Sequence, residues 1–426
     1  MTVTDSGIDL GASDVAWDLD PLLDGGSVDD LLDTALQIAQ RLATRRGTIA
    51  SLDVPAMVDV MESLGEVNDL VGRAGSYAAL RFAVDTADPE RGAQLQRVEE
   101  RGTALTTELL FLELEWAAVP DERAAELLAD DRLEFCRHHL EAARRYRPHL
   151  LSEPEEIILN EKAVTGANAW TRLFSELTSV ITAEVGGATV SLEEALSQLT
   201  SPERESRRVA AEAVTAALAP GLRTRAFVYN TLLADKSVDD RFRHFPDWLA
   251  SMNLANEASD ESVCALVAAV QRRYDIPQRW YALKARLLGL DRLADYDRMA
   301  SVASEESEFG WNEARDLVLD SYASFSSELA DVAKRFFDEA WIDAPVRPAK
   351  RPGAFCAYTV PSHHPYLMLN WTSRRRDVLT LAHELGHGLH AYLAREQGIF
   401  HQSTPLTLAE TASVFGETVT FGRLLD

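Results

Sequence analysis

The sequence predicts a mainly α-helical protein with a small β-sheet just before a histidine-rich helix. Three observations lead to this prediction. Apolar residues recur at three- and four-residue spacing over most of the chain. Alanine, leucine, glutamate and arginine, which favour helices, dominate those segments. Two short stretches instead hold aromatic and β-branched residues between turn signals, which is typical of strands.

The helical spacing extends over much of the N-terminal half of the chain. The segments with this spacing are residues 27–45, 55–84, 88–118, 122–145 and 190–218. The segment from Ser201 to Arg204 is typical of a capped helix start with proline at the first helical position. A boundary near this point divides the chain into an N-terminal helical lobe, residues 1–200, and a C-terminal lobe, residues 201–426, that contains the histidine-rich helix.

Two segments have the composition of strands. Residues 186–190 suggest a turn with a short strand, because two glycines precede a threonine and a valine. Residues 353–370 suggest two short strands around a loop from Ser362 to Pro365. This second pair places a small sheet directly before the histidine-rich helix.

Charge and cysteine content exclude several classes of protein. The 426 residues carry 42 Lys and Arg against 68 Asp and Glu, a net charge of −26. This acidity disfavours nucleic acid and anionic membranes as partners. The N-terminus lacks the pattern of a secretory signal, and no apolar run reaches the length of a membrane span. The three scattered cysteines fit a reducing compartment, so a cytoplasmic location is expected.

Residues 377–394 form the segment that carries the chemistry. On a helical wheel with His383 at zero, His387 falls at about 40° and His390 at about −20°, so one stripe holds all three imidazoles. Two histidines one turn apart can both donate ring nitrogens to one Zn²⁺. The opposite side is apolar and is expected to be buried; it holds Val378, Leu381, Ala382, Leu385, Leu389 and Leu393.

Glu384 lies between the two histidines, in the pattern His-Glu-x-x-His. At that position it is expected to act as a general base on a water molecule beside the metal without being a ligand. Gly386 and Gly388 flank the histidines and would let another segment or a substrate approach closely. The sequence therefore predicts one zinc site per chain, with Glu384 as the catalytic base.

A catalytic zinc needs a third protein ligand. His390 is too close to His387 on the same helix, and we expect it to line the cleft. A second predicted helix, residues 405–425, carries Glu410 and Glu417 on nearly the same face. Glu410 is the predicted third ligand and Glu417 the alternative. If Glu410 is the ligand, Glu417 is placed to accept a hydrogen bond from a ligand imidazole.

These motifs together resemble the oligoendopeptidase F branch of the M3 peptidases, which are thimet oligopeptidase-like. The resemblance spans nearly the whole chain. It rests on the segments Thr380–His390, Ala409–Ser413, Lys350–Phe355, Pro365–Asn370, Lys284–Leu290 and Trp17–Leu19.

The resemblance implies a bivalved, mainly helical zincin-type metallopeptidase fold with zinc on the floor of a deep channel. It also implies cleavage of short peptides, because a narrow channel excludes folded proteins. Gly353, Ala354 and Phe355 would lie in a strand beside the cleft, where an extended peptide could pair with the strand edge. His364 would lie in a loop near the substrate.

In one respect the chain departs from this family. Family members continue past the glutamate ligand into a segment whose His and Tyr residues hydrogen-bond the developing oxyanion. This chain ends at Asp426, and we expect that segment to be missing and the catalytic lobe to be incomplete. Two alternatives to an active peptidase therefore stay open: a zinc-binding homologue with impaired catalysis, and a helical interaction scaffold. The sequence does not predict the oligomeric state.

Overall fold

The computed structural model describes residues 11–302 and 308–425, and most of them are helical. The N-terminal helices are α1 (Val28–Ala43), α2 (Val54–Ala83), α3 (Pro89–Ala118), α4 (Asp121–Leu128), α5 (Arg137–Arg145), α6 (Glu153–Ala163) and α7 (Ala167–Ser179). A hairpin of β1 (Thr182–Val185) and β2 (Ala188–Ser191) follows. The next helices are α8 (Leu192–Ser197), α9 (Arg204–Leu218), α10 (Leu222–Phe242), α11 (Ala250–Ala255), α12 (Asp260–Gln271) and α13 (Asp275–Leu287).

The last part of the chain contains the second sheet and the histidine-rich helix. Its elements are α14 (Trp311–Phe325), α15 (Ser327–Asp338), β3 (Ile342–Pro345), β4 (Phe355–Ala357), β5 (Tyr366–Trp371), α16 (Arg375–Ala394) and α17 (Leu406–Leu425). The predicted mainly helical class with a small sheet before that helix is confirmed. Residues 1–10 of the predicted N-terminal lobe, and Asp426, lie outside the described residues.

Side chains cap the first three helices at their N-termini. Ser27 and Asp30 form a capping box at α1, with the Ser27 amide donating to the Asp30 carboxylate at 2.9 Å. Asp53 caps α2 by accepting a hydrogen bond from the Ala56 amide at 3.0 Å. Asp88 caps α3 in the same way. These side chains satisfy amides that a helix start leaves without intrahelical partners.

Two large hydrophobic clusters hold the chain together. The first joins α1 to α5 and contains Leu32, Met57 and Trp116. The second joins the segment before α1, through Leu19 and Leu22, to α14, α15, the second sheet and α16. The N-terminal segment thus packs against the part of the chain that carries the histidine-rich helix. The domain boundary near residue 200 stays a prediction.

The second sheet has the strand order β3-β5-β4. β3 runs parallel to β5, and β4 runs antiparallel to β5 with Cys356 opposite Leu367. β4 and β5 are the two strands that the sequence predicts in residues 353–370, whereas β3 was not predicted. Because β5 lies in the centre, β4 is an outer strand of this sheet.

Lys350 fixes the loop before β4 to the rest of the sheet. Its buried ammonium donates to the Asp343 carboxylate at 2.6 Å, to the Leu369 carbonyl at 2.6 Å and to the Pro345 carbonyl at 2.8 Å. Burial lowers the pKa of Lys350 to about 8, although Asp343 opposes that shift. The segment that leads into Gly353, Ala354 and Phe355 is therefore firmly placed.

Two predicted helical segments are interrupted. Residues 122–145 do not form one helix, because Asp130 accepts a hydrogen bond from the Arg132 amide at 3.0 Å and starts a 3₁₀ turn, Asp131–Cys136, between α4 and α5. Residues 190–218 are likewise divided among β2, α8 and α9.

The predicted helix start at Ser201–Arg204 is wrong by about two residues. α9 begins at Arg204, so Pro202 lies before the helix instead of at its first position. The Glu203 amide donates to the Ser201 hydroxyl at 3.3 Å, which closes a local turn just ahead of α9. The turn predicted near residue 186 is confirmed, since Gly186 and Gly187 both have positive φ and connect β1 to β2.

None of the helices within residues 11–302 and 308–425 has the length and apolar character that a membrane crossing requires.

Candidate metal centre

Helix α16 buries one side and leaves its histidine stripe half-exposed. Val378, Leu381, Ala382 and Leu385 are fully buried in the second hydrophobic cluster, as the sequence predicts. Leu393, predicted on the same buried side, is 45% exposed, because it lies in the last turn of the helix beyond that cluster. The buried side fixes the rotation of α16 and so the direction in which its histidines point.

Three side chains converge beside this stripe. The Nε2 atoms of His383 and His387 lie 3.3 and 3.5 Å from the same carboxylate oxygen of Glu410, which comes from α17. One ligand-type atom from each of these residues lies within 4.8 Å of the other two. The structure therefore brings together the three residues that the sequence predicts as metal ligands. Their role as ligands remains a prediction.

The close approach of α17 to α16 depends on glycine. A Cβ at Gly386 would lie 2.6 Å from the Ala412 carbonyl oxygen and 2.7 Å from the Ser413 Cα. A Cβ at Gly416 would lie 2.8 Å from the Ala382 carbonyl oxygen. Residue 386 thus faces residues 412–413, and residue 382 faces 416, so the two helices run antiparallel. The predicted reason for Gly386, approach of another segment, fits this packing.

We expect Gly386→Ala to weaken metal binding by more than tenfold and to destabilise the fold by about 1–3 kcal/mol. The added methyl group would overlap backbone atoms of α17, which cannot move aside as a side chain can. The displacement would carry Glu410 away from both imidazoles. Zinc titration and thermal unfolding would measure the two effects.

Gly422→Ala is the matched control for this substitution. It places the same methyl group on α17, where nothing lies within 4 Å of the new Cβ. This variant should bind metal normally and be as stable as the wild type or more so. If both variants behaved alike, the close packing at Gly386 would not determine the position of Glu410.

Glu384 lies on the buried edge of the site and is 8% exposed. Burial raises the pKa of its carboxyl to about 7, with Glu410 adding to the shift and His383 opposing it. No hydrogen bond from a described residue reaches this carboxylate. A cation held between the histidines and Glu410 would favour its ionised form. Glu384 is thus able to accept and release a proton near neutral pH.

Two residues of α17 orient the converging groups. Glu417 lies 3.3 Å from His383 Nδ1, the position expected for an acceptor on the far side of a ligand imidazole. The Ser413 hydroxyl donates to the Glu410 carboxylate at 2.8 Å. Sequence reasoning missed Ser413, although its position three residues after Glu410 on a helix was the available signal.

His390 does not belong to the converging group. Its Nε2 lies 3.4 Å from the Thr404 hydroxyl, and its ring lies 6.5 Å from the ring of Tyr358. Its Nδ1 is buried and has no partner among the described residues. This placement agrees with the expectation that His390 is not a third ligand on the same helix.

The segment Gly353–Ala354–Phe355 leads into β4 beside α16. Gly353 has positive φ, and its carbonyl accepts a hydrogen bond from the Asn370 side chain at 2.8 Å. In the next residue of β4, Cys356, burial raises the thiol pKa and the carboxylate of Glu384 raises it further. The outer strand of the sheet therefore runs next to the predicted catalytic base. A substrate role for the segment remains a prediction.

His364 packs into the second hydrophobic cluster instead of joining the converging group. Its ring stacks on Trp341 at 3.9 Å between centroids and contacts Tyr366 at 4.5 Å. Burial lowers the pKa of His364 to about 4. His364 lies in the loop before β5, as expected, and its ring packs there against Trp341 and Tyr366. A position near the substrate remains a prediction.

The free energy of unfolding should fall as the pH drops from 6.5 towards about 4, partly because of His364. In the unfolded chain this imidazole takes up a proton near 6.5, whereas in the folded protein it resists protonation until about 4. The contribution of His364 to the free energy of unfolding is therefore complete above pH 6.5, and it is lost as the pH falls towards about 4. His364→Phe keeps a ring on Trp341 and should show a smaller pH dependence in urea unfolding. An unchanged dependence would contradict this account of His364.

The donor set fits a metal ion. Two imidazole nitrogens and one carboxylate oxygen are typical zinc ligands, and three protein ligands leave a further position open for catalysis. The Nδ1 atom of His383 is held by Glu417. The Nδ1 atom of His387 is buried and has no hydrogen-bond partner among the described residues. The His-His-Glu group could therefore hold a metal ion.

Comparisons with known families match both halves of the chain. The profile described as Peptidase family M3 matches residues 197–425, and the one described as Oligopeptidase F matches residues 115–182. Oligopeptidase PepF of Bacillus subtilis is 23% identical over 98% of this chain and 62% of its own length. Group B oligopeptidase PepB of Streptococcus agalactiae is 24% identical over 96% of this chain and 69% of its own length.

Solved structures share the fold. The oligoendopeptidase F of Enterococcus faecium matches with a TM-score of 0.64 at 19% identity, over 93% of this chain and 67% of its own. PZ peptidase A, solved with an inhibitor, matches with a TM-score of 0.77 at 17% identity, over 93% of this chain and 68% of its own. Each of these alignments covers almost all of this chain. The aligned part is about two thirds of the length of the other protein.

Proposed function

Because this chain belongs to peptidase family M3, we propose that it is a zinc endopeptidase that hydrolyses short peptides. The observation that carries the proposal is the convergence of His383, His387 and Glu410, with the buried carboxylate of Glu384 beside them. Residues on two different helices form this arrangement, so a local sequence pattern alone does not produce it.

In this proposal, one zinc ion per chain is held by His383, His387 and Glu410. When bound, zinc would polarise the scissile carbonyl group and lower the pKa of water. Ser413 holds the Glu410 carboxylate, and Glu417 holds His383 in the tautomer that presents Nε2.

Glu384 acts as the proton carrier. It removes a proton from the attacking water and later delivers that proton to the amine nitrogen that leaves. Burial raises the pKa of Glu384, whereas a bound cation would lower it, so the two influences on its proton oppose each other. The low exposure of Glu384 keeps bulk water from competing for the proton.

Short peptides are the proposed substrates. The names oligopeptidase and oligoendopeptidase among the relatives support this class. The net charge of −26 makes nucleic acid and anionic membranes unsuitable partners. A cytoplasmic location remains a prediction from the cysteine pattern.

A second candidate, zinc binding with impaired turnover, is supported by the positions of Tyr392 and His401. These are the tyrosine and the histidine that follow His390 in the sequence. The Tyr392 hydroxyl accepts a hydrogen bond from Arg335, and His401 lies beside His138 and the His139 amide. Neither is in the converging group, and a site that lacked an oxyanion donor would lose about 10²–10³-fold in rate.

Metal analysis combined with a peptide-cleavage assay tests the proposal. The protein would be purified without chelators, its zinc content measured, and its activity assayed on internally quenched peptides. One zinc per chain with cleavage supports the endopeptidase. One zinc per chain without cleavage favours the second candidate, and absence of zinc with no gain in thermal stability on adding it favours a helical scaffold.

A further inference from the structure

A large cavity lies away from the metal centre, between helices α2, α3 and α5. Its volume is about 440 Å³, which is within the range of small-molecule sites. Its walls are mostly aliphatic, and they include the buried ring of Trp116 from the first hydrophobic cluster. None of the three converging residues lines it, and nothing in the proposed function uses it.

Three polar residues that line the cavity are exposed, namely Asn68, Thr106 and Glu113, so the cavity opens to solvent beside them. His139 and Tyr146 line the cavity as well. The apolar interior and the polar opening together match a ligand with an apolar body and a polar head.

Charge decides which polar head the cavity would accept. Of the described residues that line it, none is lysine or arginine, and Glu113 is the one carboxylate. No described residue forms a hydrogen bond or ion pair with Glu113. The nearby Arg243 is held by Glu156, at 2.8 Å through each of two bonds, and by Asp239.

We propose that this cavity is a binding site for a small amphiphilic cation, an alkylammonium whose chain fills the apolar interior and whose ammonium group pairs with Glu113. A carboxylate that lacks a partner at the mouth of an apolar cavity gains most from a cationic head group. An anionic head group would meet repulsion from Glu113 within a chain of net charge −26.

Three probes of equal chain length test this site: octylammonium, octanoate and 1-octanol. Binding to the full chain would be measured by calorimetry and by the change in tryptophan fluorescence, which should be absent in a Trp116→Phe variant if Trp116 reports the site. Octylammonium should bind at least about tenfold more tightly than octanoate, with octanol between them. Absence of binding by octylammonium and octanol, or equal affinity for the cation and the anion, would overturn the proposal.

Glu113→Gln removes the charge at the mouth and should reduce octylammonium affinity about tenfold, to that of octanol. Glu108→Gln is the matched control, because it removes the same charge from α3 at a position that does not line the cavity. Equal losses in both variants would mean that binding follows the net charge and not the site.

Gly102→Leu tests the apolar part independently. Gly102 lines the cavity, and a Cβ there would meet only Val71, at an ordinary 3.8 Å. The leucine should fill the cavity, abolish binding of octylammonium and octanol, and raise the thermal midpoint, since glycine is a poor helix former. Unchanged binding in this folded variant would place the probes elsewhere on the protein.

Discussion

Replacement of Glu384 by glutamine is expected to lower peptide cleavage by about 10²–10⁴-fold without removing zinc. Glutamine has nearly the same shape but cannot take a proton from water or return it to the leaving amine. The other carboxylates of the site, Glu410 and Glu417, lie against the imidazoles, so neither is free to take over this role. The measurements are kcat/KM on a quenched peptide and zinc content on the same sample.

Glu396→Gln is the control for this variant. Glu396 lies on the exposed turn that follows α16, outside the converging group, and its loss should leave the rate unchanged. A Glu384→Gln variant with the wild-type rate would end the assignment of Glu384 as the base. A variant that lost zinc would show that Glu384 holds the metal instead.

Replacement of His387 by alanine is expected to weaken zinc binding by more than about 100-fold and to abolish cleavage. Removal of a residue that hydrogen-bonds a metal ligand lowers metal affinity or activity by about 10–100-fold, and removal of the ligand itself should lower it further. Zinc affinity would be measured by competition with a chelating dye, and folding by circular dichroism.

His390→Ala is the matched control because His390 lies on the same helix, one turn further along. It is half-exposed and does not converge on Glu410. Its loss should leave zinc affinity within a few-fold of the wild type. Similar losses in the two variants would mean that the stripe of imidazoles, and not the convergence on Glu410, binds the metal.

The positions that could be predicted from sequence are those fixed by the spacing of residues within a single helix. The periodicity of α16 places His383 and His387 on one stripe and its apolar residues on the opposite side, whatever the rest of the fold. Glu410 could be predicted because a second amphipathic segment follows after a short connection. The caps at Ser27, Asp53 and Asp88 likewise act within a few residues of each helix start.

The features that were missed depend on contacts between distant parts of the chain. β3 has no alternating pattern, and its place beside β5 depends on the buried pair of Lys350 and Asp343. The stacking of His364 on Trp341 joins two residues that are well separated in the chain, so local sequence spacing does not reveal it. The break at Asp130 was hidden because the apolar spacing continues across it.

His383, His387 and Glu410 are expected to hold one zinc ion together. Anomalous diffraction at the zinc edge, on crystals of the protein purified without chelators, tests it most directly. We predict a single peak per chain about 2.0–2.2 Å from the Nε2 atoms of His383 and His387 and from a carboxylate oxygen of Glu410. A peak at any other group of residues, or crystals without a peak after soaking in zinc, would contradict the account.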